Sequence, residues 1–318
     1  MRDVLSQARY IGMEYGFYLL LLAIVIAFTL ISNSFLTVSN WAQIAIASTF
    51  LLAAAAGLTL VLINGEIDLS IGSIAYVAAT VVYLTADLPA GVSILAALAA
   101  GLGIGLFNGW LVAYLGMNSL LTTLGLMIAY RGVALVFTEG TVKQTGEGLA
   151  AIGQMKLLGE IPLIFLIALL LVLLFQWILR GTKLGTFWLA IGNNEDSARK
   201  IGVPVRRAKL AAYALCGVSA ATSGTLLAAY LGEITTFTGR GMEFQAVAAV
   251  VIGGASLFGG RGNVFPGTLA GVLLLIVINN GLGTRGVSPF VYPFVAGTLI
   301  FFAIYLDSIK NRSRQSND

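Results

Sequence analysis

The chain has no histidine, one cysteine, six prolines and few charges: 10% of its 318 residues are Asp, Glu, Lys or Arg. Cys216 stands alone inside the apolar run 210–231, so a disulfide within the chain is excluded and a His/Cys metal site has no ligands to draw on. No GxxxxGK[ST] segment is present, and with it goes the phosphate-cradling loop needed to bind ATP directly. The glycine-rich stretch GGRGNVFPGT, residues 259–268, lacks the lysine at the required spacing and reads as a tight turn between close helices. The apolar runs hold no Ser/Lys or Asp/Asp constellation, which argues against an enzyme; no catalytic residue and no metal ligand is assigned.

What is abundant is apolar surface. Hydrophobic residues make up 58% of the chain and the mean hydropathy is +0.93. A soluble domain of this length has no way to bury so much, whereas a helix of roughly 20 apolar residues crosses a bilayer. Apolar runs fall at 14–32, 41–64, 70–86, 91–115 and 119–138, then at 161–179, 208–231, 243–257, 264–283 and 290–306. The fold class is therefore all-α, a polytopic membrane protein of about ten transmembrane helices forming one domain over residues 1–318. The first run lacks a small-residue cleavage pattern and is read as a retained helix, not a signal peptide.

Cations fix the expected orientation. With an even number of crossings both termini share a side, and that side holds thirteen Lys and Arg, seven of them between Arg180 and Lys209. The other side holds Lys143, Lys156, Arg240 and Arg285, with Arg131 near a helix end. The positive-inside rule places both termini and the 180–209 loop in the cytoplasm. The net charge of +4 then calls for no nucleic acid.

A short internal echo accompanies this count. Asn64-Gly65-Glu66-Ile67-Asp68 after the second run resembles Leu231-Gly232-Glu233-Ile234-Thr235 after the seventh, and Phe107-Asn108-Gly109 resembles Asn279-Asn280-Gly281. Runs two to five would repeat as runs seven to ten, inverted because an odd number of crossings separates them.

Polar positions supply the candidate sites. In GTFWLAIGNNEDSARKIGVPVRRAK, residues 185–209, Glu195 and Asp196 precede Arg199 and Lys200, an order that suits the dipole of a short helix ended by Gly202 and Pro204. Asp196-Ser197-Ala198 followed by Gly202 keeps the spacing of an EAA-xxx-G element, and the small residue at its centre is expected to admit a partner surface. The alternative is a solvated basic loop. Gly192, Asn194, Glu195, Asp196, Ser197, Ala198 and Gly202 form the expected docking element, with Phe187 and Trp188 as interface anchors. The glycine-broken stretch 57–72 leaves two readings for Asp68. It caps the next helix with Ser70, or, if the break dips inward, Glu66, Asp68 and Ser70 bind hydroxyls or form a gate. Asn108, Asn279 and Asn280 line a path or join helices to one another. Gly101, Gly105 and Gly109 allow close, sliding helix contacts.

Three stretches carry a family resemblance. Gly65-Glu66-Ile67-Asp68-Leu69-Ser70-Ile71-Gly72-Ser73 resembles the GGIDLSVGS element of ribose-type ABC transporter permeases, residues 190–203 resemble their cytoplasmic AIGGNEEAARLSGI loop, and residues 247–262 resemble their IAAVVIGGTSLFGGRG turn. The resemblance spans roughly residues 41–306. It implies a bacterial inner-membrane subunit of an importer for a monosaccharide or related small polar solute. Cytoplasmic ATPase subunits, which bind the ATP and Mg, would dock on the 190–203 loop. A periplasmic binding protein would deliver the solute, and a second permease subunit would complete the pair. Autoinducer-2 and nucleosides are cargoes of similar permeases. Glu66 stands where many members have glycine, and Ser197 where alanine is usual. An ion-coupled secondary transporter or channel built on the same repeat is the other reading.

Overall fold

The structure, a computed structural model, describes residues 18–157 and 159–292 together with 294, 295, 297, 298, 301 and 305. Arg2, Arg9, Lys310, Arg312 and Arg314, on which part of the orientation count rests, lie outside the described residues, as do eight of the seventeen residues of the tenth run.

The chain is a helical bundle. Its elements are α1 (Tyr18–Ile31), α2 (Val38–Ile63), α3 (Ile71–Leu84), α4 (Ala90–Ala113), α5 (Ser119–Thr138), α6 (Glu147–Gln154), α7 (Leu163–Gly181), α8 (Lys183–Asn193), α9 (Glu195–Lys200), α10 (Val205–Leu231), α11 (Met242–Ile252) and α12 (Leu269–Thr284), the last preceded by a π-turn at Val264–Thr268. Two-residue strands β1 (Lys143–Gln144) and β4 (Glu233–Ile234) pair antiparallel at one end of the bundle, and β2 (Lys156–Leu157) pairs with β3 (Ile161–Pro162). Helices α8 and α9 form the opposite end.

Among the described residues six stretches are long and apolar enough to cross a membrane: α2, α4, α5, α7, α10 and Val264–Thr284. This is a multi-pass membrane protein. The third apolar run does not form the full crossing expected of it, and the eighth, already short in sequence, is shorter still as a helix. At 1.5 Å per residue, α3 with 14 residues spans about 21 Å and α11 with 11 about 16 Å, short of the roughly 30 Å hydrocarbon layer.

α2 and α10 are the axis on which the others pack. Most of α2 and α10 is buried, whereas most of α4, α5 and α7 faces outward. Small residues let the two central helices touch. Ser219 Oγ–H donates to the Ala53 carbonyl, Gly57 N–H donates to Ser219 Oγ (2.9 Å), and Ser223 Oγ–H donates to the Phe50 carbonyl (2.7 Å). Numbers that rise along α2 fall along α10, so the pair is antiparallel. A Cβ on Gly57 would sit against Ser219 and the Cys216 backbone. In lipid such backbone approach and interhelical hydrogen bonding, not apolar burial, hold helices together. Gly101, Gly105 and Gly109 of α4 all face α10, opposite Gly217, Tyr213 and Leu210.

Candidate functional site

Each central helix ends on a glycine in the left-handed region, Gly65 (φ +79°) after α2 and Gly232 (φ +70°) after α10. Beyond each glycine the chain is non-helical for several residues, a state hydrocarbon tolerates only where protein groups satisfy the backbone. In the first segment Ile67 N–H donates to Ser119 Oγ (3.3 Å), Leu69 N–H to Thr123 Oγ1 (3.0 Å), and Tyr213 Oη–H donates to the Ile67 carbonyl (3.2 Å). In the second, Arg131 Nη1 donates to the carbonyls of Thr236 and Thr238 (3.4 and 3.3 Å) while its guanidinium lies over the Tyr76 ring. Glu243, on the first turn of α11, is buried.

Short helices then begin inside the bundle and face each other. Gly72, at the start of α3, and Gly239, before α11, touch backbone to backbone; a Cβ on either would run into the other's carbonyl oxygen. The carboxylate of Glu243 lies beside Gly72 as well. Asp68 is wholly buried just ahead of α3. Its Oδ1 accepts from Ser70 N–H (2.9 Å) and Ser70 Oγ–H (2.6 Å), Asn108 Nδ2 donates to Ser70 Oγ (2.8 Å), and Tyr130 Oη–H donates to Asn108 Oδ1 (2.7 Å). Asp68 thus closes a turn onto Ser70 at the helix start, and it does so inside the bundle. Asp68 Oδ2 and Glu243 Oε2 are buried without a hydrogen-bond partner among the described residues.

The other amides go elsewhere. Asn280 and Asn40 exchange reciprocal bonds, each Nδ2 donating to the other's Oδ1 at 3.0 Å, next to Phe35 at the start of α2. This is a helix-to-helix bond remote from Asp68, and Asn279 is half-buried and outside it.

At the α8–α9 end the docking residues form a compact unit. Asn194 caps α9, its Oδ1 accepting from Ser197 N–H (2.8 Å), and Gly202 (φ +86°) ends it. Gly192 fits against Ile63 and the Gly259–Gly260 turn, with no room for a Cβ. Ala198 is turned inward and buried, so its small side chain seats α9 on its own chain and is not an open landing place. Trp188 is also no exposed anchor: it is fully buried and its Nε1–H donates to the Ala208 carbonyl (2.8 Å), fixing α8 to α10. The apolar side chain that α9 does present is Ile201, 78% exposed.

Glu66, two residues before Asp68, directs its carboxylate to this end. Lys209 Nζ lies 2.5 Å from Glu66 Oε1 and 2.7 Å from Glu195 Oε2, while Glu195 Oε1 receives Arg199 at 2.7 Å. Hydrogen bonding from Lys209 holds the Glu195 carboxyl below its ordinary range, helped by Arg199 and opposed by partial burial. Lys209, Tyr130, Tyr213, Arg131, Glu243 and the Gly72–Gly239 contact are not among the site residues expected from sequence. One signal was available: Gly72 and Gly239 each lie seven positions after the echoed glycine, Gly65 and Gly232 respectively.

Discontinuous helices that meet inside a membrane bundle recur in transport proteins. Residues 40–304 match the family of branched-chain amino acid transport system permease components, and the chain belongs to that family. It is 35% identical over 308 residues to the ribose import permease protein RbsC of Escherichia coli K12, covering 94% of each chain. It is 33% identical to the autoinducer 2 import system permease protein LsrC of Photorhabdus laumondii, over 90% of this chain and 87% of that one. The LsrC of Salmonella typhimurium is also 33% identical, over 93% and 87%. No solved structure matches the chain at a significant level.

Proposed function

We propose that this chain is the membrane-spanning subunit of an ATP-driven inner-membrane importer for a monosaccharide or related small polar solute. Membership of a permease family and near full-length similarity to ribose and autoinducer-2 import permeases support that reading. The observation that carries the mechanism is the contact between the two half-helix starts at Gly72 and Gly239.

Ten apolar segments with an inverted repeat, α2–α5 and α10 onward, in which the short α3 and α11 complete their crossings only together with the non-helical segments before them, account for that contact. Both segments open on a left-handed glycine, both close an i to i+2 turn (Ser70 N–H on Asp68, Phe237 N–H on Thr235 at 3.2 Å), and both lead into a short helix. A pseudo-two-fold axis then passes between Gly72 and Gly239, and α3 and α11 extend from it towards opposite faces. With α8 and α9 on the cytoplasmic side, as the cation count expects, the two half-helices form the wall between outer and inner access.

ATPase subunits that bind ATP and Mg dock on α9 and on Ile201, a binding protein delivers the solute at the β1–β4 end, and a second permease subunit packs beside this one. Residues 180–209 act as the coupling loop of a single transmembrane domain. Asp68, Ser70 and Asn108 form the gate as a hydrogen-bonded turn that needs the acceptor oxygen of Asp68 and not its charge; Asn280 serves packing against Asn40. The chain itself performs no covalent chemistry, and transport arises from differential stabilisation of two access states.

The test is reconstitution. Uptake into proteoliposomes is expected only when ATPase subunits, ATP and loaded binding protein accompany the permease. Uptake by this chain alone, driven by an ion gradient, would instead identify a secondary carrier.

A further inference from the structure

We propose that Lys209 is a positioning residue that carries movement of α9 to the re-entrant segment, through its simultaneous pairing with Glu195 and Glu66. The inference rests on the reading that α9 receives the ATPase.

Three elements meet at one ammonium. Glu195 is the first residue of α9, Lys209 lies on the first turns of α10, and Glu66 opens the segment that leads to Asp68. The side chains of Lys209 and Glu66 are 10% and 15% exposed, so this is not a surface pair whose worth salt and water would erase. Without the lysine, two carboxylates drawn to the same point would face each other with nothing between them. From Glu66 the chain reaches Asp68 in two residues, and the intervening backbone is held by Ser119, Thr123 and Tyr213. A displacement at Glu66 has no slack in which to be lost before it reaches the start of α3.

Room to move is provided on the other side. A cavity of about 620 Å³ borders the cluster, lined among others by Tyr114, Asn118, Arg199 and Lys209. Glu66 and Glu195 can shift together into it without repacking the core. The backbone route from α9 into α10, by contrast, passes Gly202 and Pro204 and leads to the base of α10, not to the segment before α3. The ion pair is the side-chain link between α9 and that segment, alongside the backbone contact of Gly192 with Ile63.

The experiment compares the reconstituted importer (permease, ATPase subunits and binding protein) carrying Lys209→Met, Lys209→Arg, Glu66→Gln and the Lys209→Met/Glu66→Gln pair. Lys209→Met is expected to retain the ATPase and its hydrolysis yet move about tenfold less solute per ATP. Lys209→Arg should restore most of the ratio, and adding Glu66→Gln to Lys209→Met should take nothing more away. A ratio in Lys209→Met within about twofold of the parent, or additive losses in the pair, overturns the latch. Should Lys209→Met fail to assemble, Glu66→Gln decides alone: reduced solute per ATP in an intact complex supports the latch, and a parental ratio overturns it. An Ile201→Arg chain that still holds the ATPase overturns the docking reading and the latch with it. Loss of the ATPase in Ile201→Arg alongside parental coupling in Lys209→Met overturns the latch alone.

Discussion

Gly72 and Gly239 meet where α3 and α11 begin, each carbonyl oxygen occupying the place where the other's side chain would start. Two chain segments 167 positions apart therefore share one contact made entirely of backbone. Substitution at that contact is the most direct test of the two half-helices.

Gly72→Ala should destabilise the folded permease by roughly 1–3 kcal/mol, because the new methyl meets backbone, which has no rotamer to retreat into. Gly239→Ala should cost more, since its φ of +68° also strains an alanine. Thermal unfolding in detergent reads the effect, and parental midpoints for both variants would dissolve the contact.

Asp68→Asn keeps an oxygen that can accept from Ser70, so the turn survives and initial uptake is expected to fall only modestly. Asp68→Ala removes the acceptor from a buried hydroxyl and amide and should cost about 1–3 kcal/mol of stability. Complete loss of uptake in an assembled Asp68→Asn complex would assign the carboxylate charge itself to the path.

Ile201→Arg is the cleaner probe of docking than a change at Ala198, which is buried and would displace α9 bodily. Affinity for the ATPase subunit should drop by tenfold or more, roughly the effect of losing one central anchor. Co-purification at parental yield would overturn docking on α9, and the latch that rests on it.

Glu195 offers a pH test. Its carboxyl titrates below the ordinary value of 4.5, so its stabilising contribution is complete above that value and is lost as pH falls through the lowered one. The difference in thermal stability between the parent and Glu195→Gln should stay constant from neutral pH down to about 4.5 and shrink below it. A gap that closes already near neutrality would mean that Lys209 and Arg199 do not hold the carboxylate.

Asn280→Leu strands Asn40 and should cost about 0.6 kcal/mol, up to about 1.7, while Asn40→Leu/Asn280→Leu should recover much of it with uptake unchanged. A specific loss of uptake in the double variant would return this pair to the path.

Apolar runs marked the full-length spans because hydropathy integrates over twenty residues, and α2, α4, α5, α7 and α10 lie close to where they were expected. The same integration hid α3 and α11. A run such as 70–86 is equally apolar whether its helix begins at the surface or inside the bundle, and depth is set by Gly72 meeting Gly239, which composition does not encode. Acids before bases around Ser197 announced α9, a local effect. The inward turn of Ala198 and the burial of Trp188 were not legible, since both depend on α10 passing behind the loop. Glu66 stood out as a departure from glycine, but its partner is 143 residues away and no local pattern points to Lys209.

The seam between α4 and α10 has Gly101 and Gly217 lying carbonyl to Cα, with Gly105 and Gly109 continuing the line. Along that row α4 offers only backbone to Ala221, Tyr213 and Leu210 of α10, so relative tilt of the two helices requires few rotamers of α4 to change and little volume to be created. It behaves as a bearing, where shear is cheap. For the importer proposed above, resistance to the change of access would then be concentrated at the few places where groups do engage, and a handful of substitutions away from any solute contact would set its rate.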